Sequence, residues 1–373
     1  MSTLSPAPSS ALVRGLASSA AVPAGLRAAG IEAIRTTRGG DTVGGMKLAR
    51  RVYTQAKDSE DLHAELDALN VLAVCQAAHG AFIEAVATTI DATRLATRLD
   101  DRLGMAHALA TLAGAAGFIL DTLEISIRML DRCVAVALEM NDVGLEVRAR
   151  TIRGIMLGNL KRFEEGERDF AIAMEKIEAS GELNSKALVA GNLASIASKR
   201  ARAAPSDARE ALWSLAEERT DAAAALARRD GNLDVESRCS HNMGDLYFQQ
   251  NDWEAALAAY RKSLELSARA RHKARLIDAY IEIGRIHAVC GRLQDGLDVY
   301  EAAFAAADTN RPTNQVAIAC DRMADLYERL GNDSEALRLR EKAERERAEF
   351  DRESEHTRRE LAAFWRNFET GPA

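Results

Sequence analysis

The 373-residue sequence predicts an all-α protein, an α-solenoid of about eight helical hairpins followed by a long C-terminal helix. Three observations carry that prediction. Aromatic residues make up 5% of the chain and prolines number six, while alanine, leucine, arginine and glutamate recur throughout, a balance that favours helix over sheet. Small residues return at a spacing of about forty, each between apolar neighbours and a turn. From Ser334 to Thr370 the chain carries neither glycine nor proline, more helix-compatible sequence than one hairpin needs.

The opening MSTLSPAPSSALVRGLASSAAVPAG, residues 1–25, is rich in Ser, Ala and Pro, and the first acidic residue of the chain is Glu32. Arg14 interrupts any apolar core of a signal peptide, so the segment reads as a disordered tail. The solenoid is expected over 26–348 and a C-terminal extension of its last helix over 349–373.

The first hairpin contains RGGDTVGGMK, 38–47, which imitates a phosphate-binding loop. A true one needs lysine after its last glycine, followed by Ser or Thr for magnesium; here Met46 holds the lysine place, Lys47 comes one residue late and Leu48 replaces the hydroxyl. Counted from Ala33, Gly40 and Asp41 fall instead in the turn between two helices, and Gly45 is a small packing residue of the second. The same register gives Ala33, Ala73, Gly114, Gly154, Ala194, Gly244, Gly284 and Ala324 on the first helices, separated by 40, 41, 40, 40, 50, 40 and 40. Twelve residues later come Gly45, Ala85, Ser126, Gly166, Ala256, Gly296 and Ala336, with Ala216 after an insertion of about ten residues. Two helices approach to roughly 8–10 Å only where the crossing side chains are small. Gly80, Asn251-Asp252, Gly291 and Gly331-Asn332 supply the turns, since Gly and Asn tolerate the left-handed backbone that ends a helix. The insertion, KRARAAPSDAREALWSL at 199–215, reads as a lengthened turn in the fifth repeat, with Asp207 and Glu210 at capping-box spacing.

In ESRCSHNMGDLYFQQNDWEAALAAYRKSLELS, Gly244, Tyr247, Trp253, Ala256 and Tyr260 fall at offsets 0, 3, 9, 12 and 16, and Gly284 to Tyr300 and Ala324 to Arg340 repeat the order. This pattern resembles the tetratricopeptide repeat. The resemblance spans about 26–348, is strongest in the last three repeats, and implies a right-handed solenoid; the period of forty exceeds the family's usual 34 and is shared with HEAT and armadillo arrays. The longer subtype is similar to that of spindle-orientation scaffolds, peptide-responsive bacterial regulators and bacterial sensory halves.

The resemblance also implies which residues line the inner wall. Positions 2, 5, 6, 9, 12 and 13 of the first helix, counted from Ser237, are Arg238, His241, Asn242, Asp245, Phe248 and Gln249. Earlier repeats offer Arg148, Thr151, Asn159, Asn192, Ser195 and Lys199, and later ones Asp278, Arg285, Asp321 and Asp325. The expected peptide-binding groove is Arg148, Asn192, Ser195, Lys199, Arg238, His241, Asn242, Asp245, Gln249 and Arg285, a polar wall of mixed sign in which Asn can pair with a peptide backbone. Asp245 stands where a chaperone-tail clamp requires asparagine, which argues against that ligand.

Along the terminal helix, Ala336, Ala343, Phe350, Thr357 and Phe364 recur every seven residues, with Leu361, Trp365 and Phe368 alongside. Two roles stay open: a cover for the last repeat, or a seam through Phe350, Leu361, Phe364, Trp365 and Phe368 for a homodimer or a partner.

A formal charge of −7 repels a phosphate backbone, and no run of 18 apolar residues exists, so neither nucleic acid nor membrane is an expected partner. Cysteines 75, 133, 239, 290 and 320 form no metal-ligand pair and read as core residues in a reducing compartment, and the seven histidines give no zinc motif. No metal, cofactor or catalytic motif is expected. The expectation is a cytoplasmic, bacterial, non-catalytic scaffold that binds a protein or peptide segment. The alternative is a regulatory sensor whose solenoid answers a ligand and acts on a partner through the C-terminal helix.

Overall fold

A computed structural model describes residues 24–38, 41–119, 122–180, 186–270, 272–306 and 314–370. Among the described residues there are sixteen helices and no strand. In chain order they are α1 Ala24–Arg38, α2 Thr42–Asp58, α3 Leu62–Ala78, α4 Phe82–Arg98, α5 Arg102–Ile119, α6 Leu123–Glu139, α7 Val143–Asn159 and α8 Phe163–Ser180. Then follow α9 Lys186–Ala203, α10 Ser206–Arg229, α11 Leu233–Gln249, α12 Trp253–Arg269, α13 Lys273–Val289, α14 Leu293–Ala306, α15 Asn314–Arg329 and α16 Asp333–Thr370. Each odd-numbered helix and its successor form a hairpin, so the array matches the predicted fold. The tail at 1–23 and the glycines at 39–40 lie outside the described residues.

The chain divides into two compact units. Unit 1 takes the residues up to Ile196 together with those from Ser354 on; unit 2 is Ala197–Glu353.

Helix ends are set by local chemistry. Asp41, Asp61, Asp142, Asn232 and Asp252 accept hydrogen bonds from the first free N–H groups of their helices. Asp41 caps α2 through Gly44, so the loop-like sequence there starts a helix. Gly80, Gly231, Gly291 and Gly331 turn with φ between 65° and 83°. At other turns Glu60, Asp100, Asn141, Lys161 and Asn251 take the same left-handed geometry without being glycine, which is why the sequence marks those ends less clearly.

Packing within the hairpins explains the register. A β-carbon on Gly244 would meet the Tyr260 ring at 2.7 Å, one on Gly284 the Tyr300 ring at 2.7 Å, and one on Gly154 the Phe170 ring at 2.9 Å. Offset 0 must be small because the aromatic at offset 16 lies over it. Unit 1 adds a mostly buried ionic network, in which Asp169 of α8 receives Arg150 at 3.1 Å and Arg153 at 2.7 Å from α7.

Two expectations need correcting. The insertion does not lengthen a turn: it extends α10 to 24 residues, and the connection from α9 is Ala204-Pro205 alone. Asp207 is no cap, since Pro205 holds the N-cap position without a side-chain bond, and the Arg209 guanidinium instead donates to the Ala204 carbonyl at 2.9 Å. Cys290 is exposed, while the other four cysteines are buried as expected.

The C-terminal helix runs unbroken over Asp333–Thr370. Its start behaves as the second helix of a hairpin, with Ala336, Leu339 and Ala343 buried in the core of unit 2. Its end belongs to unit 1, where Leu361 (0% exposed) and Trp365 (2%) join the core built from α4 to α7. Arg128 lies over the Trp365 ring and Arg132 over Phe368, at 5.8 and 4.7 Å, and Phe368 stacks on Phe364 and Trp365. These aromatics are therefore engaged within the chain, and Phe350 is half-buried.

Candidate functional site

The ten expected groove residues fall in both units. Arg148, Asn192 and Ser195 belong to unit 1, and Lys199, Arg238, His241, Asn242, Asp245, Gln249 and Arg285 to unit 2. In unit 1, Arg148 of α7 donates to the Thr111 hydroxyl of α5 at 2.5 Å, Asn192 is buried and Ser195 is half-buried.

Unit 2 holds the denser arrangement. On α11, Arg238 is followed three and four residues later by His241 and Asn242, these by Asp245 four and three residues on, and Asp245 by Gln249 four later, so the five share one broad helix face. Asp278, Glu282 and Arg285 do the same on the neighbouring first helix, α13. Asp245 is the hub of the first row: the Tyr260 hydroxyl of α12 donates to it at 2.6 Å, Arg202 lies 3.9 Å away and the His241 imidazole 4.0 Å. His241 also meets the Tyr260 ring edge-on at 5.1 Å. Gln249 turns its amide onto the Asp245 carbonyl at 3.0 Å, which occupies its donor within the helix.

Among the described residues, Nδ1 of His241, Nδ2 of Asn242 and Nε of Arg285 are buried with no hydrogen-bond partner. Buried polar atoms are nearly always paired, so three such donors or acceptors on adjacent helix faces are unusual. In the second row the Arg285 guanidinium lies 3.7 Å from the centroid of Phe248, which meets Trp253 edge-on at 4.9 Å, and it contacts the Glu282 carboxylate at 2.5 Å. Asp278 accepts from Gln315 at 2.6 Å, while Asp325 pairs with Arg340 at 3.5 Å and Asp321 with Arg347.

Burial governs the protonation of this face. It pushes the Glu282 carboxyl up to about 7, aided by Asp245 and Asp278 and opposed by Arg285 and Arg322. It holds His241 below the usual histidine range although Asp245 and Asp278 pull the other way. Arg238 is lowered by burial and then by Arg275, and Lys199 by burial and then by Arg202. Tyr260 is raised by burial and by Asp245, so its hydroxyl stays a donor.

Glu282 and Tyr260 were missed as members of this face. Glu282 was legible: four residues after Asp278 and three before Arg285, it must share their face. Tyr260 was read only as a packing aromatic, because its polar end reaches Asp245 across the hairpin. Unit 1 hides one further feature: His107 is buried with neither ring nitrogen bonded, and burial lowers it to about 3. No helix among the described residues is long and apolar enough to cross a membrane.

The tetratricopeptide repeat family matches residues 237–269, the hairpin of α11 and α12 that carries the first row. No curated protein matches the chain in sequence. Solved structures match in fold. A Rap protein complexed with Competence and Sporulation Factor has 12% identity and a TM-score of 0.55 over 89% of this chain and 100% of its own. A signal transduction ATPase with numerous domains and a tetratricopeptide repeat sensor, from Pyrococcus horikoshii, has 17% identity and a TM-score of 0.54 over 89% of this chain and 50% of that one. A tetratricopeptide repeat protein from Parabacteroides merdae has 14% identity and a TM-score of 0.50, covering 81% and 98%. At such identities the likeness is one of fold. The chain thus carries one matched tetratricopeptide repeat, at 237–269, within an array of helical hairpins whose fold is similar to that of tetratricopeptide-repeat structures and whose register recurs at about forty residues.

Proposed function

We propose that unit 2 binds a protein or peptide segment along the faces of α11 and α13, and that its work is recognition rather than catalysis. One observation carries the reading: the Asn242 amide nitrogen and the His241 ring nitrogen are buried and unbonded side by side on α11. An amide of this kind pairs with a peptide group as donor and acceptor, and an occupant would remove the cost of leaving the group unmade, about 1–3 kcal/mol. Arg238, on the same face, adds a cation whose charged form burial disfavours. The Rap structure, solved with a factor bound, shares this fold and supports a binding role. In unit 1, Arg148, Asn192 and Ser195 form a second candidate row. We place the protein in the cytoplasm of a bacterium, with no cofactor.

Peptide arrays probed with the full chain test this. Asn242→Ala and Arg238→Ala should each weaken captured segments by about 1–2 kcal/mol, with helicity unchanged. Unaltered capture by both variants would remove the assignment.

A sensor role is the second reading, favoured by the burial of Leu361 and Trp365 in unit 1. A ligand that frees the C-terminal helix end would expose those side chains to a partner or a second copy. Faster hydrogen exchange over 354–370 upon ligand addition is the expected sign; a passive scaffold would show none.

A further inference from the structure

We propose that Arg285 is the anion-accepting residue of the unit 2 surface, held ready on the Phe248 ring and occupied in the free protein by the chain's own Glu282, so that acidic segments displace Glu282 and bind more tightly on acidification. This rests on the binding reading above and names the class of segment.

The geometry supplies the site. With its guanidinium 3.7 Å from the Phe248 centroid, Arg285 is restrained by a cation–π contact that leaves N–H groups for a carboxylate. Trp253, edge-on to Phe248, buttresses that ring from the start of α12. Arg285 Nε has no hydrogen-bond partner, so the fork is only partly used. Glu282 Oε2 meets it only as an ion pair, 2.5 Å from Nη2 and without hydrogen-bond geometry, and the two side chains remain 31% (Arg285) and 22% (Glu282) exposed, within reach of a ligand. A partly exposed pair of this kind is a weak internal ligand, which an external carboxylate with further contacts can outcompete.

Other charges around Glu282 decide what happens when it leaves. From α11 comes Asp245, held by the Tyr260 hydroxyl of α12; from α13 itself come Asp278, held by Gln315, and Arg285. Arg322 approaches from α15, and the Tyr300 phenol of α14 is itself raised, to about 12, chiefly by burial. Both neighbouring carboxylates have donors of their own, so neither replaces Glu282 on Arg285. Once Glu282 is neutral, Arg285 loses its direct ion-pair partner, and the positive charge of Arg285 and Arg322 is opposed only by Asp245 and Asp278.

The sign follows from the carboxyl's position near pH 7. At pH 8 Glu282 is ionised and competes; at pH 6 it is largely protonated and does not. A bound anion raises it further, so binding takes up a proton and affinity falls as pH rises. His241 and His272, the imidazoles beside this face, are kept below the usual histidine range chiefly by burial and add little positive charge above pH 6.

The test uses fluorescent hexaglutamate and hexaglutamine peptides on the full chain, by anisotropy at pH 6 and pH 8 and one ionic strength. Hexaglutamate should bind about fivefold more tightly at pH 6 than at pH 8, within the limit of about tenfold per pH unit for one linked proton. Glu282→Gln, the isostere of the protonated acid, should bind at pH 8 as the parent does at pH 6 and lose the dependence. Arg285→Gln should lose hexaglutamate at both pH values. A carboxyl-carbon NMR titration of Glu282 should move upward when hexaglutamate is present. Absent hexaglutamate binding, equal affinity at both pH values, a dependence that survives Glu282→Gln, or indifference to Arg285→Gln each overturns the proposal. Array segments that need Asn242 but ignore Arg285 and pH would sink this inference and leave the binding surface standing; segments that need neither would sink the surface itself.

Discussion

Tyr260 lies so close over Gly244 that a β-carbon there would come within 2.7 Å of its ring, and its hydroxyl reaches beyond to Asp245. One aromatic thus fills the crossing between α11 and α12 and anchors a carboxylate of the candidate surface. Gly244→Val should overpack this joint and destabilise unit 2 by about 1–3 kcal/mol, seen as a lower urea midpoint. Gly284→Val, against Tyr300, should behave alike.

Tyr260→Phe keeps the ring and deletes the donor to Asp245. The carboxylate, mostly buried and left with Arg202 and His241 at 3.9 and 4.0 Å, loses its strongest bond. A loss of about 1–2 kcal/mol is expected in chemical denaturation. Tyr260→Phe with Asp245→Asn should recover part of it.

Trp365→Ala removes a side chain sealed in the core of unit 1 and should destabilise that unit by about 3–5 kcal/mol. Hydrogen exchange over 354–370 should quicken in step. Light scattering separates the roles of this segment: a packing role predicts lower stability at unchanged mass, whereas a dimer seam predicts a mass that falls with the substitution.

Asp67 of α3 is raised to about 7 by burial and by Asp101, against the pull of Arg27, and its Oδ2 is buried without a hydrogen bond. Its folded value lies above the unfolded one, so the folded state binds the extra proton and stability declines as pH rises from about 4 through 7. Asp67→Asn should remove that decline. Compared with the parent, it should gain about 1–2 kcal/mol between pH 5 and pH 8, after allowance for partial exposure, in melts across that range.

The hairpins were legible because a helix crossing imposes a strict local rule. Where Tyr260, Tyr300 or Phe170 lies over the first helix, the opposite position must be Gly, and in the other hairpins a small residue, Ala or Gly, recurs there at intervals of about forty. Turns closed by glycine were equally plain. Those closed by Glu60, Asp100 or Lys161 were not, since the left-handed geometry costs such residues little enough for packing to impose it. The insertion was misjudged for a related reason: after Pro205 nothing in SDAREALWSL breaks a helix, so the extra residues lengthen α10.

Of the candidate surface, the row from Arg238 to Gln249 could be read from helical spacing. Its pairings could not, because Tyr260 to Asp245 and Arg285 to Phe248 join different helices and depend on how each hairpin tilts against the next.

What the chain encodes locally is a succession of hairpins, since crossing sterics and turn geometry act over sixteen residues or fewer. Which surface receives the stripe Thr357, Leu361 and Trp365 is settled only by folding: a short apolar stripe fits many apolar faces, and the one it joins is built by residues 85–157, about two hundred positions away. The same holds for Glu282, whose proton is governed by carboxylates and arginines that three separate helices bring together.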